Sequence, residues 1–121
     1  MIALRDLIGT PFAIPCNPPE SYDCWELVRA ARKVMDKITP SYVDRDKRTA
    51  MSHRRIKYCE SEWDRLDVPR LGCIVKIGDG HVGVYLGNNQ VLHAHQSGAR
   101  VDSTAVLSIG QTVTYWEVRH A

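Results

Sequence analysis

The chain has 121 residues, 44% of them hydrophobic, which suits one domain over residues 1–121 with a single core. Sixteen basic residues against 14 acidic leave a formal net charge of +2, which argues against a protein whose main task is coating nucleic acid. No apolar run reaches the roughly 20 residues of a membrane span. The opening "MIALRDLIGTPF" has Arg5 and Asp6 inside its apolar stretch and no small-residue cleavage site, so no signal peptide is expected.

In chain order, "IALRDLIG" places Ile2, Leu4, Leu7 and Ile8 at helical spacing, and Gly9 and Pro11 stop the helix. "TPFAIPCNPPE" holds four of the six prolines and reads as a stiffened, irregular loop that leaves Cys16 partly exposed. "SYDCWELVRAARKVMDKI" is the main helix, with an apolar stripe of Leu27, Val28, Ala31, Val34 and Met35. Asp23 and Glu26 form a capping box, and Arg32, Lys33 and Lys37 lie toward the C-terminal end. Cys24 therefore falls in the first turn.

The stretch from Pro40 to Arg70 is the most charged. "RTAMSHRRIKYCESEWDRL" fits a helix with Met51, Ile56, Cys59, Trp63 and Leu66 on one face, a basic run within 45–57 facing solvent and His53 on the surface. From Leu71 onward the pattern becomes that of strands: "GCIVKIG", "HVGVYL", "QVLHAH", "ARVD" and "VTYWEVRH" are rich in valine and punctuated by Gly, Asn, Asp or Ser. Helices followed by strands predict an α+β fold, N-terminal helices packed on a C-terminal antiparallel sheet.

Four cysteines occur, with no Cys-x-x-Cys pair, so neither a zinc ribbon nor a thioredoxin-type motif is expected. Cys59 and Cys73 read as buried apolar residues. Cys24 differs through its position, because a helix N-terminus stabilises a thiolate and a neighbouring imidazole lowers the thiol pKa further.

Three of the five histidines sit in "GHVGVYLGNNQVLHAH". Side chains alternate along a strand, so His81, Gly83 and Tyr85 share one face, and Val91, His93 and His95 share a face of the return strand. A two-residue Asn88–Asn89 loop pairs Val84 with His93 and separates the histidines. A three-residue loop from Gly87 pairs Gly83 with His93 and gathers all three imidazoles on one face. The sequence permits both registers. In the second, an imidazole serves Cys24 as base while another orients it. The same histidines with an open position also suit catalytic zinc, the competing reading.

"DCWELV" followed by "GHVGVYLGNNQVLHA" resembles the NlpC-type family of papain-like cell-wall cysteine peptidases, and "IGTPF" matches the Gly-x-Pro-aromatic stretch that opens the family domain. The resemblance runs from Leu7 to about Val118 and implies the papain-like NlpC-type version of the α+β fold. It implies Cys24 as nucleophile, His81 as general base and His93 as the third, orienting residue; Phe12, Asp23, Gly83 and His95 are expected to contact substrate, and no metal or organic cofactor is required. His95 falls outside the family pattern, and Phe12 stands where many members have a tyrosine.

The implied activity is hydrolysis of a γ-D-glutamyl–diamino acid type amide in the peptidoglycan stem peptide. The bulky Trp25 after the cysteine and the "GTPF" opening resemble versions from tail gene clusters of long-tailed phages. A place in the phage virion at the tail tip is therefore expected, with tail-tip proteins as partners and action in the host periplasm or cell wall. The alternatives are a catalytically silent structural tail-tip protein and a thioester-forming acyltransferase.

Overall fold

The computed structural model describes residues 2–14, 16–40 and 62–119. His53, Cys59 and the basic 45–57 run lie outside the described residues. Helix α1 (Leu4–Leu7) is a single turn that buries Leu7, and Asp6 accepts from the Ala3 N–H. Helix α2 (Cys24–Val34) begins at Asp23, whose carboxylate accepts from the Glu26 N–H at 2.8 Å. Strands β1 (Trp63–Leu66), β2 (Ile74–Ile77), β3 (His81–Gly87), β4 (Gln90–His95) and β5 (Gly98–Ser103) follow, then a single-turn α3 (Thr104–Leu107) and β6 (Val113–Val118). They form one six-stranded antiparallel sheet in the order β1-β6-β2-β3-β4-β5. The fold is α+β, with α2 lying on the sheet.

Alternation along the strands gives the sheet two apolar faces. Val82, Val84, Leu92 and Ala94 meet Trp25, Leu27, Val28 and Ala31 of α2. Cys73, Val75, Ile77, Tyr85 and Val91 cluster with Leu107 of α3 on the opposite face. Burying each such Val or Leu side chain contributes about 1.5–3 kcal/mol, so the helix–sheet contact sets where Cys24 sits. The segment before α2 is tied down as well. Gly9 N–H donates to Ala99 O, Ala99 N–H donates to Thr10 O, and Phe12 bridges Tyr22. This strap buries Cys16 rather than leaving it partly exposed.

One expectation changes in this half of the molecule. Trp63 and Leu66 belong to strand β1, not to a helix face: β1 pairs with β6, and Trp63 stacks on Trp25 with ring centroids 6.0 Å apart. The segment "STAVL" closes into α3 because the Ser103 hydroxyl accepts from the Val106 N–H. Arg32 stands in the last turn of α2. It is fully buried, donating to Ile38 O and Gly72 O and pairing with Glu117 at 2.6 Å.

The β3–β4 hairpin settles the register. Its turn is the two-residue Asn88–Asn89 type, both residues at positive φ and closed by Gly87 opposite Gln90. A register shift between Tyr85 and Gly87, with Gly87 at φ +85°, then offsets the strands so that Gly83 faces His93. The turn of one alternative thus coexists with the histidine pairing of the other.

Candidate active site

Cys24 is half-buried at the first residue of α2. The backbone N–H groups of Val82, Trp25 and Cys24 itself address its sulfur and favour the thiolate. These do not prevail. Burial first, then the negative charge of Asp23, pushes the thiol up to about 11. The helix N-terminus was expected to lower it, and desolvation outweighs that effect here. Val82 follows His81 directly, so the contact with its N–H holds the sulfur against the opening residues of β3.

His81 Nε2 lies 2.9 Å from His93 Nδ1, with the rings edge-to-face at 5.1 Å between centroids. Burial, then His93 and His95, lower the His81 pKa to about 4. Both groups are driven toward their neutral forms, a thiol and an unprotonated imidazole. Among the described residues, no three His, Cys, Asp or Glu side chains converge as a metal site. Among the described residues, no disulfide joins Cys16, Cys24 and Cys73.

His93 is buried, and its other nitrogen, Nε2, lies 2.7 Å from Asp102 Oδ2. Arg100 grips the same carboxylate through two N–H groups, at 2.8 and 2.9 Å. That grip, ahead of the bond from His93, holds the Asp102 carboxyl below its usual range. Asp102 was absent from the sequence-based site. Its signal is the alternation of Arg100 and Asp102 in "ARVD", but the contact needs the β4–β5 register, in which His93 faces Arg100.

The remaining site residues fall in different places. His95 is exposed, its ring centroid 6.4 Å from that of His93, and its Nδ1 is engaged by Ser97. Asp23 is buried with its carboxylate on the helix cap, and Phe12 packs against the α2-side core. Gly83 is buried against β4, where a Cβ would stand 2.7 Å from Leu92 O and 3.1 Å from the His93 Cβ.

The helix-borne cysteine and the histidines of two adjoining strands agree with a comparison against protein families, in which the NlpC/P60 family matches residues 9–120. The chain belongs to the NlpC/P60 family. NlpC/P60 is a family of cysteine peptidases acting on peptidoglycan. Among solved structures this NlpC/P60 chain is similar to NlpC1 of Trichomonas vaginalis, with a TM-score of 0.65 and 17% identity over 95% of this chain and 41% of that one. NlpC2 of Trichomonas vaginalis gives a TM-score of 0.64 and 18% identity over 95% of this chain and 43% of that one. The NlpC/p60 domain of the peptidoglycan hydrolase SagA gives 0.60 and 18% over 93% and 91%. The chain thus spans about two fifths of the two Trichomonas proteins and nearly all of the SagA domain. No curated protein sequence matches it. At these identities the structural likeness establishes the fold, the papain-like arrangement of the NlpC/P60 domain.

Proposed function

We propose that this NlpC/P60 chain is a cysteine endopeptidase cutting an amide of the γ-D-glutamyl–diamino acid type in the peptidoglycan stem peptide. The observation that carries the reading is that the Val82 N–H reaches the Cys24 sulfur at the start of β3, where the preceding residue, His81, meets His93 at 2.9 Å. This is a nucleophile–base–orienter series.

His81 takes the Cys24 proton as the sulfur attacks the scissile carbonyl. The negative charge passes to the carbonyl oxygen, where N–H groups at the start of α2, that of Cys24 included, stabilise it. Coupling proton transfer to attack fits a thiol pushed up to about 11 better than a preformed thiolate. The imidazolium, oriented by His93, protonates the leaving amine. The carbon–nitrogen bond breaks and the acyl group remains on sulfur. Water, deprotonated by His81, releases the acid and restores the thiol. Of Phe12, Asp23, Gly83 and His95, His95 is the exposed member available to substrate.

The proposal extends to a phage tail tip acting on the host wall, in company with other tail-tip proteins. It rests on Trp25 after the cysteine and the "GTPF" opening. Among the described residues, no helix is long and apolar enough to cross a membrane. Mass spectrometry of defined stem peptides incubated with the protein tests the activity. Two fragments gaining one water between them support hydrolysis. Intact peptide overturns it in favour of a structural tail protein, and a fragment joined to an added amine overturns it in favour of acyl transfer.

A further inference from the structure

The proposed mechanism asks for a specific proton arrangement that its three residues do not determine. For His81 to accept the Cys24 proton, the nitrogen not facing His93 must carry a lone pair. That nitrogen is Nδ1, since Nε2 is in the contact with His93. Neutral His81 must therefore hold its proton on Nε2 and donate it to His93 Nδ1. In the other arrangement His93 donates from Nδ1, His81 carries its proton on Nδ1, and no base faces the thiol. Two imidazoles alone are indifferent between these states, because each makes one hydrogen bond between the rings.

Asp102 removes the indifference. An ionised carboxylate only accepts, and Arg100 already occupies both of its oxygens as a donor. A lone pair on His93 Nε2 would face the Asp102 oxygen acceptor-to-acceptor at 2.7 Å, so that nitrogen must carry hydrogen. Neutral His93 then has its lone pair on Nδ1, which compels His81 to donate from Nε2. We infer that Asp102, gripped by Arg100, is a positioning residue that sets the tautomers of His93 and His81 in sequence and so presents His81 Nδ1 to Cys24.

The inference rests on the proposed Cys24–His81 chemistry, but its physical content lies in the resting protein and can be read without substrate. Protein labelled with 15N-histidine is examined by long-range proton–nitrogen correlation near neutral pH, the five histidines being assigned by single substitutions. Wild type should show protonated, pyrrole-type Nε2 and bare, pyridine-type Nδ1 in both His93 and His81. Asp102→Ala should scramble both tautomers, slow iodoacetamide alkylation of Cys24, and cut kcat by about tenfold to a hundredfold with KM within a few-fold. Asp102→Asn, nearly isosteric, should rescue. Its carbonyl placed at the Oδ2 position accepts from both His93 Nε2 and the Arg100 Nε and gives up only the Arg100 Nη2 contact, which an exposed guanidinium can replace with solvent, whereas the reverse orientation sets the amide N–H against the Arg100 Nε. It should keep the wild-type tautomers and most of the turnover.

A bare Nε2 or a doubly protonated ring at His93 in wild type would overturn the inference. So would Asp102→Ala with unchanged tautomers, even if turnover fell, since the loss would then be structural. Absence of peptide cleavage by wild type would count against the proposed function alone, leaving the tautomer and alkylation readouts to decide the role of Asp102.

Discussion

Replacing Gly83 by alanine tests how closely β3 and β4 must approach for the two histidines to meet. A Cβ there would stand 2.7 Å from Leu92 O, 2.8 Å from Val91 Cγ1 and 3.1 Å from His93 Cβ. The first of these is backbone, which cannot rotate aside. Restoring ordinary contact requires the strands to separate locally by roughly 0.7 Å. Overpacking of this kind costs about 1–3 kcal/mol, and a shift of strand backbone belongs at the upper part of that range. At about 4 °C per kcal/mol for a chain of this length, the melting midpoint should fall by roughly 8–12 °C. The same shift carries His93 away from His81 and stretches their 2.9 Å contact. Misplacement approaching 1 Å near a reacting pair costs up to about a hundredfold in rate, so turnover well below the midpoint should drop at least tenfold. Thermal melts followed by circular dichroism, with stem-peptide turnover on the same samples, give both numbers. An alanine variant melting within 1 °C of wild type with undiminished turnover would refute the close-approach argument.

Arg32→Met should destabilise by about 3–5 kcal/mol, because it strips Ile38 O, Gly72 O and the Glu117 carboxylate of a fully buried partner; chemical denaturation measures this. His81 has a folded pKa of about 4 against an ordinary value of 6.5, so the unfolded chain takes up its proton first as pH falls. Its contribution is intact above about pH 6.5 and is lost progressively down to about pH 4, on the order of 3 kcal/mol in total. Urea midpoints across that window should therefore fall more steeply in wild type than in His81→Gln, and parallel slopes would contradict the assignment. His93→Ala should lower kcat by about a hundredfold or more, whereas His95→Ala should keep kcat within a few-fold and alter mainly KM. Steady-state kinetics separates them, and the reverse pattern would reassign the third residue.

The C-terminal strands were legible because valines alternate between turn signals, and α2 because its apolar stripe and Asp23 cap agree. Strand β1 was not legible, since Cys59, Trp63 and Leu66 also fall at helical spacing and the pairing with β6 that decides the matter is about 50 residues away. The histidine register was readable only as two alternatives, because a bulge beside the turn changes the pairing without changing the turn. Arg32 resembled an end charge on a helix. Its burial depends on carbonyls and a carboxylate brought by three other segments. Asp102 was hidden for a similar reason: no local spacing links it to His93, and only the β4–β5 ladder does. The direction of the Cys24 pKa was misjudged because position on a helix is written in sequence, whereas burial beside Asp23 is a property of the packed molecule.

The central claim is that the Cys24 sulfur attacks the stem-peptide amide with His81 as its base, and a trapped intermediate tests this most directly. Protein mixed with a stem peptide and quenched in acid should show, by intact-mass measurement and proteolytic mapping, the acyl half of the substrate bound to Cys24. Neither Cys24→Ala nor His81→Ala should carry that adduct or release fragments. An adduct on another residue, or cleavage by Cys24→Ala at the wild-type rate, would contradict the account.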